Sequence, residues 1–206
     1  ILDHSGDPSK FANIYIICSE ITGGNIPVVF SRGNHDLRGN YAEKFADFTP
    51  SQNRNTYYSF RLGSIWGILL DCGEDKPDSD IEYGGTAAYD AYREQIAQWL
   101  KQTIASEEFK SAPVKIVLMH IPFEKGQGWW GNNELKRLLL PLLNEADVDV
   151  MFSGHNHSYS YLLLFVSIAD SQYTLSTSNN PVLFKNFFEK FRPAGLFGRP
   201  LLVIDL

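Results

Sequence analysis

Cysteine is scarce in this sequence of 206 residues, which contains only Cys18 and Cys72. Two cysteines are too few to identify the redox compartment of the protein, and their separation matches no zinc motif. Cys18 falls on the apolar face of a predicted helix, so we expect its thiol to be buried and chemically inert. The sequence therefore does not favour a structural zinc site built on cysteine.

Long apolar runs and an excess of positive charge are also missing. The longest run of mainly apolar residues, 161–168, suits a strand and falls well short of the roughly 20 residues of a membrane span. The formal net charge of −6 argues against a general nucleic-acid binder, because such proteins carry a basic surface. An acidic protein that binds an anionic ester must attract it locally, and bound cations would provide that attraction. The oligomeric state and the cellular location stay open.

The composition is that of an ordinary globular protein, with 44% apolar and 20% charged residues. We find no repeat, low-complexity tract or linker, so residues 1–206 are predicted to form a single domain with its own core. Apolar runs at 26–30, 114–119 and 148–152 are typical of buried strands and alternate with segments of helical periodicity. This alternation, followed by a β-rich end, predicts an α/β layered sandwich with a mixed sheet.

Three helices and a hairpin complete the predicted order of elements. The first helix should begin at Asp7 and Pro8, with the carboxylate of Asp7 as its N-cap. A long amphipathic helix is predicted over residues 86–107, and another over 135–143, kinked or divided by Pro141. The side chains predicted to face the core from the long helix are Ala88, Tyr92, Ile96, Trp99 and Leu100. Strands are also predicted at 56–62 and 65–70, which form the hairpin, and at 161–168, 173–176 and 201–206.

Three histidine motifs each follow one of the predicted strands. Residues 33–36 read Gly-Asn-His-Asp, His120 follows the run 114–119, and residues 154–157 read Gly-His-Asn-His. Ligands bind beyond the carboxyl ends of the strands in open α/β sheets, and imidazole is the commonest metal ligand among side chains. Four of the five histidines are therefore expected to lie along one rim of the sheet, where they predict a metal site.

Each motif has a simpler explanation when it is taken alone. Gly, Asn and Asp all form turns, so residues 33–36 could be only a turn, and His120 could be a hydrogen-bonded core histidine. The motif at 154–157 is more specific, because two histidines separated by one residue can present both rings to neighbouring metal ions. The occurrence of all three motifs at strand ends favours the metal site.

This ordered set of motifs resembles that of the calcineurin-like metallophosphoesterase superfamily, from the N-terminus to about His157. The resemblance implies a layered α/β/β/α sandwich with mixed sheets and hydrolysis of a phosphate mono- or diester at two divalent or trivalent metal ions (Mn, Fe or Zn). It assigns Asn34, His120 and His155 to one metal ion and His157 to the other.

The resemblance also implies roles for the two residues that follow Asn34. His35 would lie beside the scissile phosphate and protonate the leaving group or stabilise charge. Asp36 would orient His35. An imidazole near its neutral-pH midpoint can donate a proton to a departing alkoxide, and a carboxylate behind the ring fixes its tautomer.

Two earlier motifs of the family, Asp-x-His and Gly-Asp-x-x-Asp, are not complete in this sequence. The first is absent, and we interpret residues 1–3 as the tail of the second, so that the chain would begin inside the active site and lack the first strands of the family fold. On this interpretation the chain alone binds at most one metal ion well and is nearly inactive, while the full-length form binds two. Asp3 then supports the metal ligands from behind or is an ordinary turn residue.

Substrate contacts are expected from loops above the metal rim. Arg38 follows the His35 motif closely enough to reach a phosphate oxygen, or it forms a surface salt bridge. Trp129 and Trp130 follow His120 and could stack on an aromatic part of the substrate, or they cover the sheet.

Two classes of function agree with these observations. The first is a metal-dependent phosphoesterase that acts on a small-molecule or macromolecular phosphate ester. The alternative is a non-catalytic metal-binding or interaction module that retains the fold. A nuclease is a third possibility, which the negative net charge disfavours. The gene upstream of Ile1 separates the first two, because an Asp-x-His and a terminal Gly-Asp there favour the enzyme.

Overall fold

A computed structural model describes residues 8–48, 51, 54–123, 128–155, 161–164, 175–178 and 202–205. Its helices and strands are α1 (Pro8–Thr22), β1 (Val28–Ser31), α2 (Phe45–Phe48), β2 (Tyr58–Leu62), β3 (Ile65–Leu70), α3 (Tyr89–Ile104), α4 (Glu107–Lys110), β4 (Val114–Met119), α5 (Trp130–Glu145), β5 (Val150–Phe152), β6 (Tyr161–Leu164), β7 (Leu175–Ser178) and β8 (Leu202–Asp205). Short 3₁₀ turns lie at Asn34–Leu37, Ala42–Lys44 and Ile81–Tyr83. Among these helices, none has the length and apolar character needed to cross a membrane.

Four strands form a mixed sheet in the order β2-β3-β4-β5. The hairpin β2–β3 is antiparallel, as its two-residue turn predicts, and β3, β4 and β5 run parallel. Leu70 pairs with Met119, and Leu118 pairs with Phe152. The carboxyl ends of three parallel strands therefore meet at one edge of the sheet. This architecture confirms the predicted α/β fold with a mixed sheet.

Strand β1 lies outside this sheet and pairs in parallel with β8, while β6 and β7 form an antiparallel pair. Val29 of β1 packs in one apolar cluster with Leu69 and Leu118, which stand next to the carboxyl ends of β3 and β4. Packing of these apolar side chains brings the end of β1 towards the same edge. The Asn34–Leu37 turn follows β1 and therefore lies towards this edge of the sheet.

Helices α3 and α5 supply the main core against the mixed sheet. Ile96 and Leu100 of α3, together with Leu135 and Leu139 of α5, are completely buried. They pack in one cluster with Val117 of β4, which is also completely buried. Burial of each such side chain contributes about 1.5–3 kcal/mol of transfer free energy, so this cluster fixes the sheet that carries the histidines.

The start of α3 corrects one prediction. The carboxylate of Asp78 accepts the backbone N–H of Tyr89 at 2.8 Å and that of Asp90 at 3.1 Å. This side-chain cap from an earlier loop begins the helix at Tyr89 rather than at residue 86. Ala88 consequently lies before the first helical residue and is exposed, so the prediction that it faces the core is wrong.

The end of the predicted long helix is also different. Helix α3 ends at Ile104, and α4 is a separate short helix whose N-cap is Ser106. The Ser106 hydroxyl oxygen accepts the N–H of Phe109 at 3.2 Å, which starts the new helix. Farther along, α5 continues without interruption through the exposed Pro141, so this helix is not divided. In α1, Cys18 is a buried free thiol, as predicted.

Candidate metal centre

Two imidazole rings meet at the carboxyl edge of the mixed sheet. His120 follows β4 directly and is buried, and His155 follows β5. Their ring centroids are 5.3 Å apart and the ring planes are nearly perpendicular, at 83°. The backbone N–H of Gly154 donates to the carbonyl oxygen of His120 at 3.0 Å. This bond continues the contact between β4 and β5 beyond the strands and fixes the two histidines relative to each other.

The backbone of His155 is in a conformation that residues other than glycine rarely adopt. Its φ angle is 68°, in the left-handed region, where an L-residue other than glycine has a cost on the order of 1 kcal/mol. Such strain is often found at functional sites, because the surrounding structure holds the residue there for the direction of its side chain. The Gly154–His120 hydrogen bond immediately before His155 is part of that restraint.

Asn34 is the third candidate ligand, and its amide oxygen is unusual. The side chain is 3% exposed, and among the residues that the structure describes its Oδ1 atom has no hydrogen-bond partner. A buried amide oxygen without a partner costs about 1–3 kcal/mol. A metal ion is a chemically suitable partner, because amide oxygen and imidazole nitrogen bind the same transition metals. The donor set therefore fits a metal.

Asp36 holds the turn that carries Asn34. Its Oδ2 atom accepts the backbone N–H of Gly33 at 2.9 Å. Burial of the carboxyl raises its pKa from the ordinary value to about 6, while the Gly33 hydrogen bond and the charges of His120 and Arg32 act in the opposite direction. His35, between Asn34 and Asp36, is exposed on this turn and accessible from solvent.

The described candidate ligands are thus one buried amide oxygen and two imidazoles, and the two imidazoles are in contact. Within it, no group of three or more His, Cys, Asp or Glu is arranged to hold a metal ion. His157 and Asp3 lie outside the described residues, so the second metal position and the role of Asp3 stay predictions.

Arg38 forms a salt bridge, but with a buried carboxylate and not at the surface as one of its two predicted roles required. Its guanidinium group donates two hydrogen bonds to the carboxylate of Glu74, from Nε and Nη2, each 2.7 Å long. Glu74 is almost completely buried, and this pairing is the main reason why the pKa of Arg38 lies above its usual value. A bidentate pair of this kind fixes Arg38 to the segment after β3.

The side chains of the two tryptophans are partly exposed. Trp129 and Trp130 are 59% and 45% exposed. The indole N–H of Trp130 donates to Oδ1 of Asp90 at 3.1 Å, which holds that ring against the start of α3. Stacking of these rings on a substrate stays a prediction.

Sequence reasoning missed a polar network in the segment after β3. Asp71 directly follows β3, and its buried carboxylate accepts hydrogen bonds from Arg32 at 2.7 Å and from the Gly73 backbone N–H at 2.9 Å. Thr56 and Tyr92 also donate to this carboxylate. Asp71 occupies the same position after β3 as His120 occupies after β4. Its place directly after an apolar strand could therefore have marked it in the sequence as a residue of the sheet edge.

A second part of this network is the completely buried Arg93 of α3. Its guanidinium group donates to the carbonyl oxygens of Cys72 and Glu74, and to the carboxylate of Asp90 at 2.8 Å. Cys72 in turn accepts the backbone N–H of Ile121 at its Sγ atom, at 3.1 Å. These bonds connect the β3 segment to the residue that follows His120, and so support the position of that imidazole.

Comparison with known proteins identifies the family to which the chain is similar. The model of the calcineurin-like phosphoesterase family matches residues 2–159. The chain is 27% identical over 152 residues to "Purple acid phosphatase 18" of Arabidopsis thaliana, and the matched region covers 65% of this chain and 30% of the plant protein. It is 28% identical over 158 residues to "Serine/threonine-protein phosphatase CPPED1" of Mus musculus, covering 70% of this chain and 47% of the mouse protein.

The chain therefore spans less than half the length of these two curated relatives. The family match, in contrast, includes β1 to β5 and every described candidate ligand. The chain belongs to the calcineurin-like phosphoesterase family.

Proposed function

We propose that the protein is a metal-dependent phosphoesterase that hydrolyses a phosphate mono- or diester through a dinuclear metal centre. The observation that carries this proposal is the buried Oδ1 atom of Asn34, which has no hydrogen-bond partner among the described residues and lies on the turn that follows β1. His155, whose ring contacts that of His120, completes the described donor set. Membership of the phosphoesterase family and likeness to two named phosphatases support the same reaction class.

Asn34, His120 and His155 would hold one metal ion, and His157 would contribute to the second. When bound, such metal ions supply positive charge that stabilises the oxygens of the reacting phosphoryl group. This arrangement explains how a chain with a formal net charge of −6 can attract an anionic ester.

The protein's own residues position the ester and move a proton. Asp36 keeps the turn closed through its hydrogen bond to Gly33, and thereby holds Asn34 and His35 at the rim. His35 is exposed on that turn, where its imidazolium can donate a proton to the oxygen of the departing alcohol. The two residues would therefore have different tasks. The buried Asn34 would bind the metal ion through its amide oxygen, and the exposed His35 would face the substrate.

Replacement of His35 by alanine tests this proposal. We expect kcat for phenyl phosphate or diphenyl phosphate to fall by about 10²–10⁴-fold, as for removal of a general acid, while bound metal is retained. The measurement is steady-state hydrolysis by the full-length protein loaded with Mn, Fe or Zn, together with its metal content. Glu43→Ala is the control, because Glu43 is exposed in the neighbouring turn.

Two results would contradict the proposal. If the metal-loaded full-length protein hydrolyses neither ester, a non-catalytic metal-binding module becomes the better explanation. If His35→Ala and Glu43→Ala have equal rates, His35 is not the acid.

A further inference from the structure

A cavity of about 540 Å³ begins at the residue that follows Asp36. Its walls include Leu37 and Arg38 on one side and Glu82, Tyr83, Ala87 and Tyr89 on the other. Pockets that bind small organic molecules have volumes of about 300–1,000 Å³. Because Leu37 is two residues from His35, the cavity adjoins the turn from which His35 would reach a leaving group.

Hydrogen bonds hold the tyrosine wall of the cavity in place. The hydroxyl group of Tyr83 donates to Oε2 of Glu74 at 3.2 Å and accepts the backbone N–H of Lys76 at 3.2 Å. Glu74 is the same buried carboxylate that binds Arg38 in a bidentate pair. The two sides of the cavity are therefore joined through one carboxylate, which fixes their separation.

The aromatic surface of the cavity is also fixed. The rings of Tyr83 and Tyr89 pack edge to face, with centroids 6.2 Å apart and an angle of 71°. The ring of Tyr89 packs against Gly73, and a Cβ added to Gly73 would be 3.1 Å from Cδ1 of that ring. Gly73 has a φ of 65°, so glycine is required there both for the backbone and for the close approach.

Charge around the cavity does not favour a second anionic group. The guanidinium group of Arg38 is neutralised by Glu74 and lies 3.5 Å from Asp75, and Lys76 is paired with Glu82. The adjoining segment adds the carboxylates of Asp78 and Asp80. The charged side chains that line the cavity, Arg38 and Glu82, are thus both already paired, so the lining does not attract an additional phosphate group.

We propose that this cavity binds an aromatic leaving group of the phosphate ester, with Tyr83, Tyr89 and Leu37 as the surfaces that contact the ring. The proposal rests on the proposed function, because it places the phosphoryl group at the metal rim and the ring beyond His35. Aromatic rings pack well edge to face or offset against tyrosine, and a lining whose charged side chains are already paired favours a ring without further negative charge. The cavity thus determines specificity for aryl over alkyl or polyphosphate esters.

The test compares two phosphonates that differ only in the ring. Binding of phenylphosphonate and methylphosphonate to the full-length metal-loaded protein is measured by isothermal titration calorimetry. We expect phenylphosphonate to bind at least about tenfold more tightly, as burial of a ring in a preformed aromatic pocket predicts. In Ala87→Phe the new ring fills the cavity, so this preference should fall to less than about twofold while methylphosphonate affinity is kept.

Matched variants separate this effect from general damage. Ala91→Phe makes the same substitution at an exposed position of α3 that does not line the cavity, and should retain the preference. Leu37→Trp fills the cavity from the opposite wall and should abolish the preference, even if Ala87→Phe fails to fold. Equal binding of the two phosphonates by the wild-type protein would overturn the proposal, as would an unchanged preference in either filled variant.

Failure of the proposed function gives a different pattern. Hydrolysis of phosphate esters without any preference for aryl groups overturns the cavity assignment and leaves the phosphoesterase activity standing. A different result is that no ester is hydrolysed, while the wild-type protein binds phenylphosphonate and Ala87→Phe does not. This result overturns the catalytic proposal and supports the cavity as an aromatic binding site.

Discussion

Replacement of Asn34 by alanine is expected to lower metal affinity by more than about 100-fold without destabilising the metal-free protein. The loss of a residue that only supports a metal ligand already costs about 10–100-fold in affinity, so the loss of a ligand should cost more. In the metal-free protein, the substitution removes a buried amide oxygen that has no partner among the described residues, and this gain offsets the packing that the side chain provided. The two effects therefore separate metal binding from folding.

The measurements are metal content after dialysis against a graded chelator series and urea unfolding without metal. Asn25→Ala is the matched control, because the Asn25 amide is exposed and donates to the carbonyl oxygen of Gly23 at 2.9 Å. This control should leave metal affinity unchanged. Unchanged affinity in Asn34→Ala, or a loss of more than about 2 kcal/mol in metal-free stability, would show that Asn34 has a structural role instead.

Replacement of Asp71 by alanine is expected to destabilise the fold by about 3–5 kcal/mol, because it leaves the charge of Arg32 without its buried partner. The side chains of Arg32 and Asp71 are only 13% and 1% exposed, so water can replace little of the lost interaction. Thr56, Tyr92 and the Gly73 backbone would lose their acceptor as well.

Urea unfolding of the metal-free protein measures this effect on the free energy of unfolding. Asp47→Ala is the control, because Asp47 pairs with Arg54 at the surface and such pairs contribute only about 0–1 kcal/mol. A loss below about 1 kcal/mol in Asp71→Ala would mean that the network after β3 does not hold the Arg32 segment in place.

Local sequence patterns were sufficient to predict most of the sheet. The apolar run 114–119 coincides with β4, and the two runs around Gly63-Ser64 form the β2–β3 hairpin. These segments could be predicted because burial of a continuous apolar run and the geometry of a two-residue turn are both local properties. The position of His120 at the sheet edge follows from the same reasoning.

Contacts between distant residues could not be predicted in this way. Arg32 and Asp71 are 39 positions apart, and nothing in either local sequence identifies the other as its partner. The cap on α3 comes from Asp78 in an earlier loop, which is why helical periodicity alone assigns Ala88 wrongly to the core. Arg38 was predicted either to reach phosphate or to form a surface salt bridge, and its actual partner, Glu74, is 36 positions away in the sequence.

The candidate metal site lies between these cases. The order of the histidine motifs and the strand preceding each one were sufficient to predict Asn34, His120 and His155 as candidate ligands. The sequence could not indicate that the rings of His120 and His155 would be in contact, that His155 would have a positive φ, or that Oδ1 of Asn34 would be buried. These properties depend on how β1, β4 and β5 come together.

Anomalous diffraction from crystals of the full-length protein soaked in Mn²⁺ is the sharpest test of the proposed metal site, because it locates a bound metal independently of activity. We expect an anomalous peak within coordination distance of Asn34 Oδ1 and of one ring nitrogen each of His120 and His155. A peak elsewhere, or full Mn²⁺ binding in solution with Asn34 Oδ1 outside the coordination sphere, would contradict it.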